Sequence, residues 1–248
     1  MYTDTHCHIY KEYYDDINGV IERAKKVCVK KMIVNGTNLA SNKEILALAK
    51  EYGEIYAALG YHPEDIESFK EEHLSLIKEN IDSIVAIGEI GLDYHYEPCD
   101  KEAQKDLFRK QLDIASKYNK PVIVHSRDAT EDTIKILKEF PHVHGSIHCF
   151  SGSLETAKIY ISLGYKLGIG GVLTFKNAHL KELLHQLPLE NFLLETDSPY
   201  LSPEPFRGQQ NEPANVFTIV EFISREINVT KEEISTITEK SVNAIFDI

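Results

Sequence analysis

The chain has 248 residues, 42% of them hydrophobic, and carries a formal net charge of −12 at pH 7. That length suits one (β/α)8 barrel of about 250 residues with a full core. The acidic balance argues against broad electrostatic wrapping of DNA, yet it leaves room for a local phosphate site charged by metal.

Short apolar runs predict strands at Tyr2–His6, Met32–Asn35, Ile55–Leu59, Ile84–Ile87, Pro121–His125, Gly145–His148, Lys166–Ile169 and Phe192–Glu195. Segments of helical period lie between them. Ile17, Val20, Ile21, Ala24, Val27 and Cys28 form one apolar stripe, and Leu180, Leu183, Leu184 and Leu187 form another that stops at Pro188. Ser41 and Glu44 have the spacing of a capping box ahead of Ile45, Leu48 and Ala49. After the last strand, Val216, Ile219, Val220, Ile223 and Ile227 mark a helix, and Thr230 with Glu233 caps another. Strands separated by amphipathic helices imply parallel pairing. The expectation is a (β/α)8 TIM barrel with C-terminal helices, one domain over residues 1–248; an open sheet is the rival.

No run of about 18 apolar residues and no charged-then-apolar leader occurs, so neither a membrane span nor a signal peptide is expected. Cys7, Cys28, Cys99 and Cys149 form no CxxC pair. They read as reduced thiols of a cytoplasmic protein.

Six residues of metal-ligating type fall at the ends of five of these strands: His6, His8, Glu89, His125, His148 and Asp197. The C-terminal ends of barrel strands are where such a fold builds its site, and four imidazoles with two carboxylates can hold two divalent metals. His6 and His8 are two apart on an extended segment, so their rings share a face and Cys7 takes the other. Glu89 follows a buried run, where a carboxylate is costly unless paired or metal-bound; its two oxygens suit a bridge. Asp197 is placed to ligate one metal and hold a water. Asp93 reads as an ordinary loop acid, with His95 and Glu97 weak candidates in the same loop. Two divalent ions would outweigh two carboxylates, which leaves a positive site that acidifies a bridging water and attracts an anion. No GxSxG elbow, P-loop or Rossmann fingerprint offers a different chemistry.

These residues, with the segments DTHCH, ALGYHPEDI, AIGEIGLDYHY, KPVIVHSRDA, HCFSGS, LGIGG and LLETDSPYLSPEPFRGQQNEP, resemble the TatD family of metal-dependent deoxyribonucleases, within the amidohydrolase-like barrels. The resemblance covers essentially the whole chain. It implies a binuclear site in which His6, His8, Glu89 and Asp197 hold one metal and Glu89, His125 and His148 the other. Many related barrels bridge their metals with a carbamylated lysine; the match here is to a glutamate. His62, in GYHP, faces the same mouth and suits a phosphate or a leaving oxygen. Arg127 and Arg207 suit a phosphate clamp. Glu195 reads as a support behind the ligands or an extra metal contact, and Asn211 and Glu212 as residues that shape the last loop.

The resulting expectation is a hydrolase that cleaves phosphodiester bonds in DNA, as an exonuclease at strand ends. A hydroxide bridging two divalent ions attacks phosphorus, with Asp197 as proton acceptor. The alternative is a binuclear hydrolase of a small ester, amide or phosphoester; a metal-stabilised interaction module is the non-enzymatic rival. Oxygen ligands suit Mg, whereas four imidazoles suit Zn, Mn, Fe or Co. DNA or an oligonucleotide is the expected partner, with no obligate protein partner.

Overall fold

A computed structural model describes residues 1–96 and 98–248; Glu97 lies outside the described residues. The strands are β1 (Tyr2–Cys7), β2 (Val29–Asn35), β3 (Ile55–Leu59), β4 (Ala86–Asp93), β5 (Val122–Arg127), β6 (Gly145–Ile147), β7 (Tyr165–Ile169) and β8 (Phe192–Leu194). The helices are α1 (Ile17–Lys26), α2 (Leu39–Glu51), α3 (Leu74–Glu79), α4 (Lys101–Tyr118), α5 (Thr130–Glu139), α6 (Leu154–Ser162), α7 (Leu180–Gln186), α8 (Val216–Ile227) and α9 (Lys231–Phe246). All strands run parallel in the order β1 to β8. The circle closes through a short seam, not a full ladder. Asp197 N–H donates to His6 O at 2.9 Å, and His8 N–H donates to Ser198 O at 2.7 Å. The architecture is the expected (β/α)8 barrel.

Strand alternation sorts the core into two. Met32, Val34, Ala57, Leu59, Val122, Val124 and Leu194 face outward and pack under the helices. Their neighbours Ile33, Ala58, Ile123 and Leu193 face inward and meet Val242, Ile245 and Phe246 of α9, which closes the barrel floor. A fully buried side chain of this size contributes about 1.5–3 kcal/mol.

Three strands depart from strict alternation. At its start β2 advances two residues, from Val29 to Lys31, while β1 advances one, from Tyr2 to Thr3. From Asp4 to Cys7, β1 advances three residues while β2 advances two, from Met32 to Val34. From Ile87 to Ile90, β4 advances three while β5 advances two, from Val122 to Val124. An extra residue flips the facing of everything after it. Cys7 therefore joins the outer core, and His6 and His8 on either side of it turn inward. In the same way Ile87 and Ile90 both pack outward, and the bulge between them turns Glu89 in.

The boundaries correct several expectations. β4 continues to Asp93, well past Ile87, because its ladder with β5 extends to the pair Asp93–Arg127. Gly91 sits within that ladder, paired with His125; a Cβ there would lie 2.0 Å from His125 O. The box on α2 is Asn38 with Ser41, one turn earlier than Ser41 with Glu44. Glu44 instead accepts the Lys11 N–H at 2.8 Å. Thr230 and Glu233 cap α9 as expected. No helix among the described residues is long and apolar enough to cross a membrane.

Candidate metal centre

The six sequence candidates meet at the strand ends, and all but His125 and Asp197 are buried. Glu89 lies between two groups of donors. On one side its Oε2 is 3.3 Å from His6 Nε2 and 3.5 Å from His8 Nε2. Asp197 Oδ1 completes that group at 3.5 and 3.6 Å from the same nitrogens, which are themselves 3.2 Å apart. On the other side Glu89 Oε1 is 2.9 Å from His125 Nδ1 and 2.8 Å from His148 Nε2. Those two nitrogens are 2.9 Å apart.

These separations fit divalent ions. Four ligands held about 2.1 Å from one centre stand about 3.4 Å apart in a tetrahedron. Neighbouring ligands of an octahedral ion stand about 2.9 Å apart. The first group matches the former spacing and the second the latter.

Hydrogen bonds on the far side of each ring fix which nitrogen faces the centre. His8 Nδ1–H donates to Asn35 O at 2.9 Å, which leaves Nε2 free. His125 Nε2–H donates to Asp93 Oδ2 at 2.8 Å, which leaves Nδ1 free. His62 is the opposite case. Its Nδ1 accepts the Glu64 N–H at 3.2 Å, so the proton sits on Nε2, 3.4 Å from Glu89 Oε1. That tautomer makes His62 a donor toward the site, although it stands within reach of Glu89 and His125 as a further possible ligand.

The electrostatics follow from this crowding. Burial pushes the Glu89 carboxyl up, but His148, His62, His6 and His125 outweigh it and hold it well below the usual range. Burial likewise opposes ionisation of Asp197, and His8, His148 and His6 prevail. Burial, with His148 and His8 adding to it, pushes His6 down to about 4. His125 feels the same burial, yet its bonds to Asp93 and Glu89 lift it to about 10. The two carboxylates that favour a proton on this ring favour a cation beside it.

The strand ends are themselves clamped. Buried Asn42 of α2 donates to Gly60 O at 2.8 Å and accepts Gly60 N–H at 3.2 Å. Gln111 of α4 does the same for Tyr61, at 3.0 and 2.8 Å. Gln104 does so for Asp93, at 2.8 and 2.9 Å. Each amide supplies a donor and an acceptor where the ladder has ended. At the seam, buried Asp4 accepts the Thr196 N–H at 3.0 Å and its hydroxyl at 2.5 Å.

A cavity of about 710 Å³ opens over the donors, lined in part by Tyr13, Tyr96 and Tyr200, by Glu12, Glu64 and Asp65, and by His62 and Arg127. Arg127 lies 5.0 Å from the Tyr96 ring. Arg207 is not among the lining residues; its guanidinium sits 4.2 Å over Phe175. His95 Nδ1 lies 2.8 Å from Asp128 Oδ2, and its backbone N–H donates to Asp93 Oδ1 at 2.9 Å. Asn211 donates to Thr196 O and Tyr200 O at 2.9 and 2.7 Å, which ties down the last loop. Asp93, Asp4, Asn42, Gln104 and Gln111 were not legible as parts of the site. Their one sequence signal is a polar residue on an otherwise buried face.

Comparison with known proteins agrees with this geometry. The model of the family described as TatD related DNase matches residues 3–247. The uncharacterized metal-dependent hydrolase YabD of Bacillus subtilis is 43% identical over 254 residues, covering 100% of both chains. The uncharacterized metal-dependent hydrolase MJ1582 of Methanocaldococcus jannaschii is 37% identical over 249 residues, covering 99% of this chain and 96% of its own. The crystal structure of YJJV, a TatD homologue from Escherichia coli K12, superposes with a TM-score of 0.94 at 32% identity, covering 100% of this chain and 98% of that one. A match from the first strand to the last helix leaves no segment to another lineage: the chain belongs to the TatD related DNase family and is a metal-dependent hydrolase.

Proposed function

We propose that this hydrolase cleaves phosphodiester bonds in DNA, working at strand ends with two divalent ions. The observation that carries the reading is the division of Glu89, whose Oε2 faces His6 and His8 while its Oε1 faces His125 and His148. His6, His8, Glu89 and Asp197 would hold one ion; Glu89, His125 and His148 would hold the other. When bound, such a pair supplies positive charge that polarises a phosphoester and acidifies a water.

The chain's own residues do the rest. Asp197 shares Oδ1 with the His6–His8 pair, and its other oxygen accepts the proton of the attacking water. His62 donates its Nε2 proton to a phosphate oxygen or to the leaving oxygen. Arg127 pairs with the phosphate from the cavity wall; Arg207, on Phe175, is left without that role. Tyr13, Tyr96 and Tyr200 give bases faces on which to stack, a contact that every base can make. A cavity of about 710 Å³ is of the size that encloses a small ligand, so a strand end enters and the body of a duplex does not.

One observation favours a second reading. Glu12, Glu64 and Asp65 line the mouth beside Arg127, the one guanidinium among the described lining residues, a balance that suits a compact ester, amide or phosphoester better than a long polyanion. A 5′- or 3′-labelled oligonucleotide digest, run beside a panel of small phosphoesters and amides with Zn, Mn or Mg added, separates the two. Progressive shortening of the oligonucleotide is expected. Turnover confined to the small substrates would replace the nuclease reading.

A further inference from the structure

Of the four site imidazoles, His8 and His125 have their far nitrogens held, by Asn35 O and Asp93. His148 Nδ1 is buried and has no hydrogen-bond partner among the described residues. The carboxylate that faces it is Glu195, whose Oε1 lies 3.9 Å away. Glu195 is 1% exposed and comes from just past β8, two strands from β6. Between them stands β7, and at the crossing β7 carries Gly168. A Cβ at that position would lie 2.0 Å from Glu195 Oε2. Glu195 thus reaches across β7 through a gap that only glycine leaves, and there its Oε1 accepts the Cys149 N–H at 2.5 Å. The carboxylate is pinned to the residue that follows His148.

We infer that Glu195 is the positioning residue of His148, with Gly168 as the space it needs. This rests on His148 being a metal ligand. An approach of about 1 Å turns the present separation into a hydrogen bond. His148 Nδ1–H then donates to Glu195 Oε1, and the Nε2 lone pair is held toward Glu89 and His125. The arrangement repeats on His148, from the opposite side, what Asp93 does for His125. Outer partners of this kind typically change metal affinity by about 10–100-fold.

The test uses the full chain loaded with Zn²⁺, which is diamagnetic. Nitrogen-15 spectra of the histidine rings are recorded alongside zinc competition with a chelator. In the parent protein His148 is expected to show a metal-bound Nε2 and a slowly exchanging, downfield Nδ1–H. Glu195→Gln should move that proton upfield and weaken one zinc, the one that His148 would hold, by about 10–100-fold, while the other zinc stays bound. Gly168→Ala should reproduce both changes by displacing an intact carboxylate. If Glu195→Gln leaves the Nδ1–H signal and both affinities unchanged, Glu195 serves only the Cys149 N–H and the inference fails. Loss of one zinc outright, with the His148 signal intact, would make Glu195 a ligand and also overturn it. A His148 Nε2 that is not metal-bound in the parent protein defeats the binuclear reading itself. Should Gly168→Ala not fold, the Glu195→Gln spectra still decide.

Discussion

Glu89 offers one oxygen to each donor group, so its charge is shared between them. Glu89→Gln keeps the shape and removes the charge. Metal analysis is expected to show both ions depleted and hydrolysis lost; two tightly retained ions with near-parental turnover would deny the bridge. Asp197 belongs to one group only. Asp197→Asn should therefore cost rate more than metal, with a fall of about 10²–10⁴ in turnover as expected for general-base work. If added metal restores the rate in full, Asp197 is a ligand and nothing more. His62 carries its proton on the nitrogen facing the site. His62→Ala should leave metal content unchanged and slow cleavage of DNA more than of a small neutral ester; depleted metal would instead make His62 a ligand. The ligand candidates were readable because each falls at or just past the end of a predicted strand, and Glu89 and His125 follow apolar runs. Asp93 was not, since the glycines of GEIGLD disguise a strand as a turn, and its inward facing depends on a bulge that no residue pattern announces.

At the scale of elements, the strands that carry the most site residues are irregular. β1 and β4 each hold one extra residue beside a candidate ligand; β2 holds one too, at its start, and then pairs with β3 in strict register. Helices compensate where ladders stop. Gln111 is fully buried on α4 and satisfies both backbone groups of Tyr61, next to His62. Gln111→Leu leaves a buried N–H and a buried C=O unpaired, at about 1–3 kcal/mol each. Urea unfolding is expected to report a loss of about 2–6 kcal/mol, with faster hydrogen exchange at Tyr61. A loss below about 0.5 kcal/mol, the usual range for a surface change, would mean that water replaces the amide. A buried glutamine in a helix reads in sequence as part of a solvated face. The helical stripes themselves were legible, because their apolar period is set by the outer core they cover.

Across the whole molecule, α9 closes the floor beneath the inner core, and this end holds a charge out of place. Both carboxylate oxygens of Glu239 are buried without a hydrogen-bond partner among the described residues, and Lys31 Nζ stands 3.8 Å from Oε2. Burial raises its pKa, and Thr3 and Lys31 only partly offset that. A raised carboxyl favours the folded state less as pH climbs from the unfolded pKa through the folded one. Glu239→Gln should accordingly raise the melting temperature at pH 7–8 and make no difference near pH 4. A stabilisation that is the same at both pH values would show that packing, not charge, is responsible. The barrel could be foreseen from eight alternating units; the seam could not, since nothing in β1 or β8 shows how few backbone bonds join them.

That seam brings the first strand against the last through the peptide groups of His6, His8 and Asp197. A cut between α4 and β5 would leave His6, His8 and Glu89 on one fragment and His125, His148 and Asp197 on the other. Neither fragment would own the complete ligand set proposed for either ion. Capture of the cations would then act as a coincidence signal: it registers that two distant stretches of chain have found each other and that the ring has shut.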